Sequence, residues 1–113
     1  MSRPYLVTGC AGLIGARVTE MLLDRGERVV GIDNLNDAYS TCLKEWRLNR
    51  FLSRDTFTFH QDDIADRARL KAIFDDIGEP FACVINLAAR AGVRASVENP
   101  WVYYETNTTG TLN

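Results

Sequence analysis

Histidine, lysine and cysteine are all scarce in this 113-residue chain, and each scarcity excludes something. The one histidine, His60, closes an alternating apolar run. With no nucleophile pattern near it, a histidine in that place is more often structural than catalytic. The three cysteines, Cys10, Cys42 and Cys83, are far apart and form no C-x-x-C pair. An odd, scattered set fits reduced thiols in a cytoplasm better than a disulfide framework or a zinc site. No apolar stretch approaches a membrane span. A net charge of −2 with no charge run or basic patch gives no sign of nucleic-acid binding. Met1-Ser2-Arg3-Pro4 leads at once into a strand pattern, so no signal peptide is expected. There are no internal repeats, low-complexity segments or linkers. The composition, 46% apolar and 25% charged, is that of one globular domain.

What is present is concentrated in Tyr5–Asp33. The apolar run Tyr5-Leu6-Val7-Thr8 breaks at Gly9-Cys10-Ala11-Gly12-Leu13-Ile14-Gly15; an amphipathic segment follows, then Val29-Val30-Gly31-Ile32 closed by Asp33. This reads as strand, glycine-rich turn, helix, strand, acid, the order of a dinucleotide-binding βαβ unit. Gly9 turns the chain out of the strand, Gly12 lets backbone approach a pyrophosphate, and Gly15 lets the helix pack closely. The helix N-terminus presents its N–H groups and positive dipole end to the phosphates, with Leu13 and Ile14 in its first turn. Asp33, 18 residues beyond Gly15, can accept hydrogen bonds from the adenosine ribose hydroxyls and would repel a 2′-phosphate. Positions 34 and 35 are Asn34 and Leu35, not arginine, which favours NAD over NADP. Cys10 in the turn reads as a small space-filling residue, with a reactive thiol as the alternative.

Further along, Ile14, Val18, Met21 and Leu22 form a helical stripe that ends at Arg25-Gly26. Asn34–Ser40 is a polar loop. A helix over Thr41–Leu52 carries Leu48, Phe51 and Leu52 on one side, and its Lys44, Arg47, Arg50 and Arg54 read as a solvated face, with a phosphate-contacting role as the alternative. Thr56–His60 alternates as a third strand. Asp66 caps a helix with Leu70, Ile73, Phe74 and Ile77 at i, i+3, i+4, i+7, stopped by Gly78 and Pro80. Ala82–Leu87 is nearly all apolar, as expected of a strand buried on both faces. From Pro100 a last helix begins, with Trp101, Tyr104 and Thr108 on one stripe. It meets no cap or proline before Asn113 and reads as a helix cut in mid-course. Right-handed crossovers give a doubly wound parallel α/β sheet of about four strands, order 3-2-1-4, with three helices and the start of a fourth. The fourth strand would then be a sheet edge. A complete fold of this kind has two such halves, so residues 1–113 are expected to form only the N-terminal part of a Rossmann-type NAD-binding domain.

The spacing Thr8-Gly9-Cys10-Ala11-Gly12-Leu13-Ile14-Gly15 resembles the extended short-chain dehydrogenase/reductases. So do Gly31-Ile32-Asp33-Asn34-Leu35-Asn36-Asp37, Asp63-Ile64-Ala65-Asp66, Asn86–Arg94, Ser96–Pro100 and Asn107–Asn113. Together they resemble the NAD-dependent sugar-nucleotide epimerase/dehydratase family, and within it the UDP-glucuronate 4-epimerase group. The resemblance implies NAD as cofactor, contacted by Gly9, Gly12, Leu13, Ile14, Gly15, Asp33 and Asn34. It also places Asp63 and Ile64 at the adenine, Leu87, Ala88 and Ala89 beside the nicotinamide, and Asn107 in support of the active site. It implies a UDP-sugar substrate bordered by Arg90, Gly92, Val93, Arg94 and Ser96. A cation near a uronate or diphosphate is physically sensible; Arg94 as a plain surface residue is the alternative, and Arg90 departs from the glutamine expected there. The parent enzyme would be a cytoplasmic homodimer without a catalytic metal.

The family's reaction moves a hydride between the sugar C4 and NAD through a 4-keto sugar, with a tyrosine base assisted by lysine in Tyr-x-x-x-Lys. The only lysines are Lys44 and Lys71, and the residues four before them are Ser40 and Arg67. The catalytic pair is therefore absent from these residues. The expectation is the cofactor-binding portion of an epimerase that binds NAD weakly at best and turns nothing over alone. A stand-alone dinucleotide-binding or interaction module is the alternative, as is a portion of a related dehydratase or reductase.

Overall fold

The computed structural model describes residues 3–35, 41–88 and 97–113, with Thr41 described by its backbone only. In chain order the elements are β1 (Tyr5–Thr8), α1 (Leu13–Asp24), β2 (Val29–Ile32), α2 (Thr41–Asn49), β3 (Phe57–His60), α3 (Arg67–Ile77) and β4 (Cys83–Asn86). A short α4 (Pro100–Tyr104), a wide π-helical turn (Glu105–Thr109) and α5 (Gly110–Leu112) follow. The four strands form one parallel sheet in the order β3-β2-β1-β4, the expected doubly wound topology.

Alternation along β1 splits the core. Val7 faces one side with Val29, Phe57, Ala16 and Leu23 of α1, and Leu48 of α2. Leu6 faces the other with Val30, Ile32, and Leu70 and Ile73 of α3. Helices thus cover both faces. Phe51, just past α2, meets the Phe57 ring edge-on at 4.9 Å, a favoured aromatic geometry. The third helix begins and ends as expected: Asp66 accepts a hydrogen bond from the Arg69 N–H at 3.2 Å, and Gly78 closes it in the left-handed conformation, φ 68°.

Several expectations are corrected. The face that α1 buries is Gly15, Ala16, Thr19 and Leu23, while Ile14 and Met21 are exposed. Small residues lie inward because the helix start is pressed against the turn before it, which leaves no room for Ile or Met. The Thr19 hydroxyl is satisfied by donating to the Gly15 carbonyl at 2.8 Å. On the α2 side, Leu48 and Phe51 are buried but Leu52 is exposed. Nor is β4 buried on both faces: Cys83, Val84 and Asn86 are exposed and Ile85 is half-buried. It pairs with β1 alone among the described residues, so one flank lacks a neighbouring strand, and the sheet-edge expectation is the one that holds. Trp101 and Tyr104 do not pack as a core stripe; both are exposed. The last segment seats instead through Gly110, which is buried where an added Cβ would lie 2.7 Å from Ile64 Cγ1. The described residues contain no helix long and apolar enough to cross a membrane.

Candidate nucleotide-binding site

The glycine turn is squeezed from two sides. Gly9 has φ +73°, and a Cβ there would stand 2.8 Å from the Leu87 carbonyl carbon and 2.9 Å from the Ala88 nitrogen. Gly15 is tighter still, since its Cβ would lie 2.0 Å from the Gly9 carbonyl oxygen. Turn, helix start and the chain leaving β4 are therefore in contact at one end of the sheet. Gly12 is the N-cap of α1, offers no side-chain cap, and donates its own N–H to the Gly9 carbonyl at 3.0 Å. The first turn of α1 holds no acidic residue. Its leading N–H groups and positive dipole end are thus arranged for an anion.

A second clamp fixes the loop to the acid. Asp33 is buried, and its Oδ2 accepts a hydrogen bond from the Ala11 N–H at 3.0 Å. Its Oδ1 accepts from the Leu35 N–H at 2.8 Å, which holds Leu35 at φ 54°, a left-handed conformation uncommon for a bulky side chain. The Asp33 N–H donates to the His60 carbonyl at 3.2 Å, so the lone histidine contributes a backbone contact at this end of the sheet. Asn34, between the two clamped residues, is half-buried.

The solvated-face reading of Lys44 fails. Lys44 is buried, and its Nζ lies 3.5 Å from Asp33 Oδ1. One helical turn on, Arg47 Nη1 donates to the Ala11 carbonyl at 3.3 Å. Only Arg50 and Arg54, paired with Glu20 and Asp24, behave as surface cations. Sequence reasoning named these cations but did not place Lys44 against Asp33 or Arg47 against the Ala11 carbonyl, because charge spacing within α2 says nothing about partners on other elements. The signal lay in Asp33 itself, a buried carboxylate that needs a partner.

Thr8 was likewise not foreseen. Its hydroxyl donates to Asn86 Oδ1 and accepts from the Leu87 N–H at 3.0 Å and the Ala88 N–H at 3.1 Å. This latch ties β1 to the chain leaving β4. Asn86 Nδ2 reaches Thr111 Oγ1 at 3.1 Å, and Thr111 donates to the Asn107 carbonyl at 2.9 Å. Asn107 therefore stands on the π-helical turn, linked to the end of β4. π-Helical turns inside helices occur frequently at functional sites.

Asp63 is exposed and accepts from the Ala65 N–H at 2.9 Å, whereas Ile64 is buried in the core. The structure joins this turn to the C-terminal segment, through Asn113 Nδ2 at 3.0 Å from the Ile64 carbonyl, rather than to Asp33. Leu13 and Ile14 are exposed and line a cleft of about 560 Å³ between α1 and α2, shared with Leu43, Trp46, Arg47 and Phe51. Its lining does not include Gly9, Gly12 or Asp33. Cys10 is fully buried, and burial, then the nearby Asp33 charge, push its thiol pKa well up, in keeping with the space-filling reading. Ala89, Arg90, Gly92, Val93, Arg94 and Ser96 lie outside the described residues, as does the Asn36–Ser40 part of the polar loop.

Residues 6–113 match the family described as GDP-mannose 4,6 dehydratase. The chain is 58% identical over 109 residues to the UDP-glucuronate 4-epimerase of Thermodesulfobacterium geofontis, covering 96% of this chain and 33% of that protein. Among solved structures it superposes with TM-score 0.81 and 31% identity on the UDP-glucuronic acid 4-epimerase of Bacillus cereus in complex with UDP-glucuronic acid and NAD. That match covers 96% of this chain and 33% of the other. The UDP-glucose 4-epimerase of Thermotoga maritima with UDP-glucose gives TM-score 0.79 at 33% identity, covering 96% and 31%. The chain thus spans about a third of the length of the curated relative it matches. With a family match over nearly its whole length and a parallel sheet ending in a glycine turn clamped to an acid, the chain belongs to the GDP-mannose 4,6 dehydratase family of NAD-dependent sugar-nucleotide epimerases and dehydratases.

Proposed function

We propose that residues 1–113 are the N-terminal, NAD-binding portion of a sugar-nucleotide 4-epimerase acting on UDP-glucuronate or a similar UDP-sugar. The observation that carries this is the Asp33 clamp, a buried carboxylate at the tip of β2 hydrogen-bonded to the loop that leads into α1. The residues fit a dinucleotide. Gly9 and Gly15 stand where side chains would collide with backbone, the α1 N-terminus carries no competing acid, and Asp33 stands where a ribose would lie. Identity of 58% to a UDP-glucuronate 4-epimerase supports the substrate class. When bound, NAD supplies a hydride acceptor and donor.

On this reading Gly12 and the first turn of α1 hold the pyrophosphate, Asp33 accepts the ribose hydroxyls, and Asp63 lies toward the adenine. Leu87, Ala88 and Ala89 line the nicotinamide side, and Asn107 braces the site from the π-helical turn. Arg90, Gly92, Val93, Arg94 and Ser96 border the UDP-sugar. These residues contain no Tyr-x-x-x-Lys, so this chain binds and orients but supplies no base. The longer protein is a cytoplasmic homodimer on the same reading; exposed Trp101, Tyr104 and Leu112 supply apolar surface for pairing.

Calorimetric titration of the chain with NAD tests the assignment. Asp33→Ala is expected to weaken binding at least about tenfold, the loss of one charge-assisted hydrogen-bonding group; unchanged affinity would remove the ribose role. Mixed with UDP-glucuronate and NAD, the chain alone is expected to yield no epimer, and measurable conversion would overturn the missing-base argument.

A further inference from the structure

We propose that Lys44 is a specificity-determining residue of the ribose pocket: it pairs with Asp33 when NAD is the ligand, and becomes a 2′-phosphate anchor when that carboxylate is removed. The inference rests on the nucleotide-binding reading above and extends it to a residue on a different element.

Three observations carry it. First, Lys44 is 5% exposed and Asp33 is 5% exposed, with Nζ 3.5 Å from Oδ1. Lysine is almost never buried to this degree unless paired, and a buried ion pair is weak evidence for stability because apolar residues of similar volume often serve as well. A lysine buried at this position therefore calls for a role beyond packing. Second, the other cations of the α2 region find partners at the surface or on backbone: Arg50 with Glu20, Arg54 with Asp24, and Arg47 with the Ala11 carbonyl. Lys44 is directed at the acid expected to read the ribose. Third, Asp33 is already held at both oxygens by the Ala11 and Leu35 N–H groups. The ammonium thus adds charge compensation to an acceptor whose orientation backbone donors set.

The chemistry follows from charge. With Asp33 in place, the pair presents a carboxylate toward the ribose hydroxyls, and a phosphate ester at the 2′ position meets like charge. Without it, the buried ammonium lacks that counter-ion, and a 2′-phosphate supplies one. NAD preference is then set jointly by Asp33 and Lys44, and the absence of arginine at positions 34 and 35 is only part of it.

The test measures NAD and NADP affinities by calorimetry for the unaltered chain, Asp33→Asn and Asp33→Asn/Lys44→Met. The unaltered chain should favour NAD. Asp33→Asn should shift the NADP-to-NAD affinity ratio toward NADP by at least about tenfold, the scale of one charge-assisted contact. The double variant should lose that gain. Because Asp33→Asn strips a buried cation of a partner, melting curves with and without adenosine 2′,5′-bisphosphate accompany the titrations. This probe should raise the melting temperature of Asp33→Asn more than that of the double variant. An equal ratio in Asp33→Asn and the unaltered chain, or a gain that survives Lys44→Met, overturns the assignment of Lys44 while leaving NAD binding intact. Binding to the unaltered chain is expected to be weak, so NAD is titrated to about the millimolar range; no binding even there overturns the nucleotide reading and this inference with it.

Discussion

Strands β1 and β4 are neighbours in the same parallel sheet and are both apolar in sequence, yet they live in different environments. In β1, Leu6, Val7 and Thr8 are buried; in β4, Val84 is 51% exposed and Ile85 only half-buried. The difference is one of flanks. β1 has a strand on each side and helices over both faces, whereas β4 has a strand on one side and no buried helix residue packed across Val84 among the described residues. An apolar run therefore announces a strand, while its neighbours decide whether the strand is core. The same contrast separates the helices. α1 is pressed onto the glycine turn along Gly15, Ala16, Thr19 and Leu23, but the C-terminal segment meets Ile64 through buried Gly110 and a hydrogen bond from Asn113.

The sharpest way to break this comparison is to add one methyl group to each glycine contact. Gly15→Ala places a Cβ 2.0 Å from the Gly9 carbonyl oxygen, where only backbone can yield. It should cost about 3 kcal/mol or more, the upper end of overpacking, and leave the chain largely unfolded in urea titrations. Gly110→Ala meets Ile64 Cγ1 and Cδ1 at 2.7 and 2.8 Å, a side chain that can change rotamer. Exchanging glycine for alanine inside a helix also returns up to about 1 kcal/mol. Its net effect should stay within about 1 kcal/mol of zero. Equal losses at the two sites would show that the C-terminal segment is as firmly seated as α1.

Truncation in the two strands gives a smaller but cleaner contrast. Leu6, 2% exposed, should cost about 2–4 kcal/mol on replacement by alanine, because it lies between β2 and β4 against α3 and leaves a cavity. Val84→Ala should cost under about 1 kcal/mol, as for a largely exposed position. Denaturant midpoints at constant slope read both.

How far the sequence announces all this differs between the same regions. The spans of β1 and β2, the glycine cap near Arg25-Gly26, the Asp66 cap and the sheet order are legible because hydrophobic period and turn chemistry act locally. The buried face of α1 is not, because three of its four inward residues, Gly15, Ala16 and Thr19, carry little hydrophobic signal beside Leu23. Lys44 is not, because its partner Asp33 is on another element and a lysine on a helix otherwise reads as solvated. The π-helical turn that carries Asn107 is invisible for a related reason, since a change from i→i+4 to i→i+5 bonding leaves no mark in residue type. At the candidate site, the glycines and Asp33 were legible, whereas the Thr8 latch and the cations of α2 emerged only from tertiary contacts.

Ion pairs extend the comparison to charge. Lys44→Met leaves Asp33 buried without its ammonium and should destabilise by roughly 3–5 kcal/mol, as when one partner of a buried pair is removed. Lys71 pairs with Asp75 at 2.9 Å on the exposed side of α3, and Lys71→Met should change stability by less than about 0.5 kcal/mol. Raising the salt concentration should erode the second effect far more than the first.

The gentlest probe compares one residue type in the two regions. Cys10 is buried in the glycine turn and Cys83 is exposed on β4. Cys83 and the exposed Cys42 should react with a disulfide reagent in the native chain, while Cys10 should wait for unfolding, because the thiolate is the attacking species. Burial and the Asp33 charge hold the Cys10 pKa above its unfolded value. The folded state therefore retains this proton where the unfolded state releases it, and stability must fall as pH rises through the unfolded thiol pKa. At pH 9 the loss is about 0.5–1 kcal/mol, growing by about 1.4 kcal/mol for each further pH unit. Melting of the unaltered chain and of Cys10→Ala between pH 7 and pH 10 isolates this slope, since other alkaline titrations are common to both. Parallel pH profiles, or labelling of Cys10 at the rate of Cys83, would show that the glycine turn opens as readily as the sheet edge.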